Sequence, residues 1–137
     1  MILTKRHCVE IEHHLFNAQE ERLELARRQR DIIHGTPVMD EAGVHAGGPS
    51  DATGAAVVQL DRELADLDAW VSVVTAVFSH FRGTPKGSLL TARYVERSDI
   101  DVVCEQLYIA RQTFYDWRND ILIYAALKAS EKGIFSI

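Results

Sequence analysis

Residues 98–121 read SDIDVVCEQLYIARQTFYDWRNDI, and the fold follows from how this stretch is divided. Ser98 resembles a helix N-cap, with Asp99 and Asp101 in the turn behind it, where carboxylates complement the positive end of a helix dipole. A helix is therefore expected over Asp99 to Leu107. Tyr108, Ile109 and their neighbours make a short turn. A further helix starts near Ala110 and runs towards Ser130, its inner side carrying Phe114, Trp117, Ile121, Tyr124 and Leu127 or Lys128. Val102, Val103, Leu107 and Ile109 complete the apolar centre. With ~100° between successive residues, Arg111, Gln112, Tyr115 and, more laterally, Asp116 and Arg118 point away from Phe114 and Trp117.

Two helices joined by about three residues, the second polar on its outward face near its N-terminus, are the layout of a helix-turn-helix. In it Asp99 to Leu107 would support, and Ala110 to about Ile123 would enter the major groove. Arginine can bond two guanine acceptors and glutamine can bond adenine in the same two-point manner, while threonine, tyrosine and a second arginine suit phosphate contacts. A solvated amphipathic helix closing a bundle has the same periodicity, so pattern alone leaves both readings open.

Upstream, Thr4 to His34 holds no glycine or proline and repeats Cys8, Ile11, Leu15, Ala18, Leu25 and Ile32 at alternating spacings of three and four, with Arg22 and Gln29 in register. One long helix is expected there. Residues 35–54 carry five of the eight glycines and two of the three prolines, which predicts a loop without periodicity. Ser50 or Asp51 then caps a second long helix from about Ala52 to Phe81, with Val57, Leu60, Leu64, Leu67, Val71, Val74 and Phe78 on one face. Gly83 and Pro85 end it, and a short helix over Ser88 to Arg97 precedes the quoted stretch. No segment alternates as a strand does, so the class is all-α: two long N-terminal helices joined by a glycine-rich loop, then three short helices. The expected division is a helical scaffold, 1–83, with its loop at 35–54, and a DNA-binding region, 84–137.

Fifteen Lys and Arg against 20 Asp and Glu give a formal charge of −5, which argues against a nucleic-acid coat protein. The excess acid lies in residues 1–84, with 8 basic and 13 acidic side chains, whereas residues 85–137 hold 7 of each and are neutral overall. Cys8 and Cys104 match no zinc or CxxC spacing and are expected as free thiols. No apolar run of bilayer-spanning length and no signal peptide is evident, so a cytoplasmic protein without membrane contact is expected. Enzymatic sites find no support. Glu10 and His13 give a single E-x-x-H where a di-iron bundle needs two. Neither GVHAGGPSDATG nor GTPKGS completes a P-loop, and G-x-S-x-G is missing. No metal, cofactor or catalytic residue is expected. Arg27, Arg28 and Arg30 complement the negative end of the first helix, with phosphate contact as the alternative.

The segment LLTARYVERSDIDVVCEQLYIARQTFYDWRNDIL, residues 89–122, resembles the C-terminal portion of phage and prophage late-transcription regulators of the RinA and ArpU type, whose helix-turn-helix is similar to region four of bacterial sigma factors. Arg111, Thr113, Phe114, Tyr115, Trp117 and Arg118 carry the match, and GGPSDATG is similar to the junction ahead of the family's second helix. The resemblance extends over most of the chain and is closest at its C-terminal end. Two positions depart from it. Ala110 stands where a capping serine is usual, forgoing a cap worth about 1 kcal/mol, and Asp116 occupies an outward position that is often basic. The resemblance implies a sequence-specific DNA-binding regulator that activates late or packaging genes, with double-stranded DNA and RNA polymerase as partners. Arg111, Gln112, Thr113 and Tyr115 would make base or near-base contacts, and Arg118 a phosphate contact. Pairing of two chains through the N-terminal helices would raise avidity, while packing of those helices within one chain is the alternative. The rival functions are a DNA-packaging adaptor like a small terminase subunit, and a helical protein-interaction module that ignores DNA.

Overall fold

The computed structural model describes residues 3–34 and 50–135; most of the glycine-rich stretch expected as a loop lies outside them. Every regular element among the described residues is helical. They are α1 (Lys5–Phe16), α2 (Ala18–His34), α3 (Ser50–Phe81), α4 (Pro85–Leu90) running into a π-helical turn (Thr91–Val95), α5 (Ile100–Leu107) and α6 (Arg111–Glu131). Helix α3 already includes Ser50, so residues 50–54 are helical where a loop was expected. The chain forms two compact units, Met1–Ala18 with Ala69–Ile137, and Gln19–Asp68. One boundary between them falls at the start of α2 and the other inside α3, after Asp68.

The single helix expected over Thr4 to His34 is two. Thr4 opens α1 with a reciprocal cap: its Oγ1 accepts from the His7 N–H at 3.2 Å, and its own N–H donates to His7 Nδ1 at 3.4 Å. Asn17 ends α1. Its side-chain amide donates to the His13 carbonyl at 2.7 Å, alongside its backbone N–H at 3.1 Å. Asparagine competes with the helical ladder in this way, a breaking signal weaker in sequence than glycine or proline.

The first unit is built around one core. Ile11 and Leu15 of α1 are 1% exposed, one helical turn apart, and join Trp70, Val73, Val74, Val77 and Phe81 from the end of α3. The segment Val58–Phe81 is long and apolar enough to cross a membrane by length and composition, contrary to the sequence reading. Trp70, Val73, Val74, Val77 and Phe81 of this segment are buried in the core, and 28% of its most apolar window is buried in all. Helix α6 packs on α1, α4 and α5. Its buried ridge is Phe114, Ile121 and Leu122 and then Ala125, Ala126 and Ala129; of the two alternatives expected inside, Leu127 is 45% exposed and Lys128 is half-buried. Small side chains let neighbouring helices approach closely, so the inner face near the end of α6 is marked by alanines and not by the largest apolar residue. Val102, expected in the apolar centre, is 40% exposed, and Val103 and Cys104 are buried beside it.

The helix expected from Ser88 starts earlier. Thr84 caps α4 by accepting the Gly87 N–H at 3.1 Å, and Pro85 occupies its first turn, where its missing N–H costs nothing. The π-helical turn then carries Tyr94 into the core at 1% exposure. Asp99, not Ser98, caps α5, and its side chain makes no capping bond.

In the second unit Leu25 is buried and Leu64 and Leu67 are half-buried, but Ile32 and Leu60 of the expected stripes are 59% and 58% exposed.

Candidate nucleic-acid interface

Helices α5 and α6 are joined by Tyr108, Ile109 and Ala110, and the two helices pack on each other. Tyr108 makes the reversal by adopting left-handed backbone angles, φ 56° and ψ 47°, and its N–H and that of Ile109 close the end of α5 on Glu105 and Cys104. Ile109 anchors the turn on the core. Ala110 enters α6 in extended conformation without a side-chain cap, as its lack of a side-chain oxygen dictates.

A left-handed conformation costs an L-residue ~1–2 kcal/mol unless contacts offset it. The Tyr108 side chain is 94% exposed, so burial offsets nothing. Tyr108→Gly is therefore expected to raise the urea midpoint by an amount equivalent to about 0.5–1 kcal/mol, after the added freedom of glycine in the unfolded chain is discounted. A lowered midpoint would mean that the ring contributes to the fold.

Below α6, Val103, Phe114 and Ile121 are completely buried, and Leu107 and Trp117 pack against them. Above it, Arg111, Gln112, Tyr115, Asp116 and Asn119 are exposed, one or two per turn. These outward groups are held by neighbours. The Arg111 guanidinium bonds the Tyr115 phenol on its own helix and the Asp101 carboxylate in the first turn of α5, and both keep it firmly charged. Gln112 Nε2 donates to Asp116 Oδ1 at 3.0 Å. Thr113 is half-buried at the edge of the row. Tyr115 stands edge-on to Phe114, with ring centroids 5.4 Å apart. The result is an exposed row of planar, hydrogen-bonding side chains that bond one another.

Arg118 departs from the outward placement expected of it. It lies one turn beyond Phe114 on the same side of α6, and its guanidinium grips Glu12 of α1 with two bonds, Nη2 to Oε1 at 2.7 Å and Nε to Oε2 at 3.0 Å. The Tyr94 hydroxyl donates to the same carboxylate at 2.7 Å. Burial alone would raise the Glu12 carboxyl, but the bonds from Arg118 and Tyr94 outweigh it and hold the group below the usual carboxylate range. Burial and the adjoining carboxylate push the Tyr94 phenol up, so it stays a donor. Three elements distant in sequence, α1, the π-helical turn and α6, are thereby fastened at one point. Glu12 was not singled out in the sequence; its only signal is a carboxylate flanking the Ile11 and Leu15 stripe.

The positive charge around this surface is limited. Lys86 pairs with Asp120 at 2.9 Å, and Arg93 donates to the Ser98 carbonyl at 2.9 Å. Asp101 and Asp116 stand beside Arg111 and Gln112, and Arg111 is the cation within the exposed row. Such a surface can discriminate hydrogen-bonding patterns better than it can attract phosphate. No protein-family model, curated protein or solved structure matches this chain.

Proposed function

We propose that this chain is a sequence-specific DNA-binding transcriptional regulator, in which α5 supports and α6 enters the major groove as the second helix of a helix-turn-helix. The observation that carries the reading is the division of α6 into two sides over its first two turns: Phe114 is sealed in the core, while Arg111, Gln112 and Tyr115 stand outside it. Base edges in the major groove are read by such two-point donors and acceptors near a helix N-terminus. Arg111 and Gln112 are the readers, with Thr113 and Tyr115 beside them. Arg118 acts at one remove, by locking α6 onto α1 through Glu12. The resemblance to phage late-transcription regulators adds activation of late or packaging genes and a contact with RNA polymerase.

The test is selection of bound fragments from the source genome, followed by titration of the recovered site. Arg111→Ala should weaken specific binding by about 1 to 3 kcal/mol and relax preference at one base position, with little change on random DNA. Equal losses on both DNAs would remove Arg111 from base reading.

One observation favours a second reading. Asp101 and Asp116 occupy Arg111 and Gln112 in the free protein, and carboxylates on the exposed face repel phosphate. A helical module that meets a partner protein through Tyr115 and its neighbours has no difficulty with them. Salt separates the readings, because binding that neutralises phosphates must weaken steeply as salt rises. Retention on DNA that ignores salt, or no retention at all, favours the protein partner. A ring-sized assembly in solution would point instead to a packaging adaptor.

A further inference from the structure

The end of α3, the start of α4, the π-helical turn and the end of α5 surround a cavity of about 500 Å³, and none of its lining residues belongs to α6. Small-molecule pockets have volumes of roughly 300–1,000 Å³. Phe78, Ala92 and Leu107 give this one an apolar side, and Arg82, Ser88, Thr91, Glu96 and Gln106 a polar side that is open to solvent.

In the exposed row of α6, Arg111 is bonded to Asp101 and Gln112 to Asp116. The polar side chains of the cavity differ, because they bond no other described residue. Arg82 and Glu96 are opposite in charge and line the same cavity, yet they do not pair with each other. The backbone here is unusual as well. Thr91 and Ala92 begin the π-helical turn and Glu96 closes it, its N–H donating to the Thr91 carbonyl at 2.9 Å. Such widened turns recur at functional sites. This one carries Tyr94 into the core and leaves Thr91 and Glu96 exposed on the cavity.

We infer that this cavity binds a free α-amino acid with an apolar side chain. The unpaired Arg82 guanidinium takes the ligand carboxylate in a two-point contact, and the unpaired Glu96 carboxylate takes the ammonium group. The charges select this class. A phosphate or other anion would gain from Arg82 and lose to Glu96, and a cation the reverse, whereas a zwitterion satisfies both. The ligand side chain lies against Phe78 and Leu107, and the Ser88 and Thr91 hydroxyls and the Gln106 carboxamide serve the polar atoms that remain. The site contains none of residues 111–118, so its occupancy is measured without DNA.

The full chain should melt about 4 °C higher or more in ~10 mM of at least one of free leucine, isoleucine, methionine and phenylalanine, each tested alone, as a Kd of ~1 mM or below requires. The N-acetyl and the amide derivatives of the same amino acid, which lack the ammonium and the carboxylate respectively, should not raise the transition. In calorimetric titration Arg82→Gln and Glu96→Gln should each weaken binding by ~10-fold or more. Both positions are exposed and make no side-chain bonds to described residues, so the unliganded variants should melt as the parent does. No shift with any of the four amino acids would overturn the inference. So would a shift that both derivatives reproduce, or parental affinity in either variant, which would show that the amino acid acts elsewhere.

Discussion

Gly87→Ala is expected to destabilise the protein by about 3 kcal/mol or more, at the upper end of what overpacking costs. A Cβ at this position would lie 2.2 Å from the Phe81 carbonyl oxygen and 3.0 Å from its carbon, and both belong to backbone. That oxygen is fixed from several directions. It ends α3, accepts the Thr84 N–H at 3.1 Å and the Thr84 hydroxyl at 2.5 Å, and belongs to a residue whose ring is buried. The alanine methyl can be admitted only by opening the turn that sets α4 on the core, and Leu89 and Leu90, both fully buried, move with it. Against a total stability of ~5–15 kcal/mol, such a loss is large. Gly83→Ala makes the contrast. Nothing lies within 4 Å of its would-be methyl, but its φ is +78°, so the cost is the ~1 kcal/mol of left-handed backbone alone. Chemical denaturation of the two variants should separate them clearly. A Gly87→Ala midpoint within experimental error of Gly83→Ala would refute the close approach.

Arg118→Ala should cost about 3 kcal/mol, the lower end of the range for breaking a buried ion pair by removing one partner. The low end applies because the side chains of Arg118 and Glu12 keep 24% and 20% of their exposure. The loss arises from Glu12, left half-buried with Tyr94 as its remaining bond among those described for it. The pH dependence supplies a second signature. Because the Glu12 carboxyl is held below its unfolded value, its contribution is present above about pH 4 and is lost as pH falls through the folded value. Stability measured from pH 7 downward should therefore fall more steeply for the parent chain than for Arg118→Ala. Equal acid dependence in the two would show that the pair does not set it. Since Arg118 touches α1 instead of solvent, its loss should loosen α6 on the body; under the proposed DNA-binding function it should then weaken binding to all DNA sequences alike, which distinguishes it from Arg111→Ala.

The local steps were legible in the sequence because they rest on local chemistry. Residues 99–121 divide into helix, three-residue turn and helix as the apolar spacing required, although the cap is Asp99 and not the Ser98 expected, and Phe114 and Ile121 are completely buried as their period demanded. The all-α class followed from the same periodicity, and the end of α3 from the breakers Gly83 and Pro85. The left-handed turn at Tyr108 was not legible, because tyrosine carries no preference for that conformation and is imposed on it by the two helices it joins.

What the sequence alone determined is the all-helical class and the exposed row Arg111, Gln112 and Tyr115, since neighbours in a helix are fixed by spacing. Tertiary structure alone decided where Arg118 points, because its partner Glu12 lies 106 residues away and no helical period links them. It also decided that alanines, not Leu127, form the inner face near the end of α6. Each of these depends on which helix comes to lie opposite. That is a property of the packed core as a whole, and it is carried by no short stretch of chain.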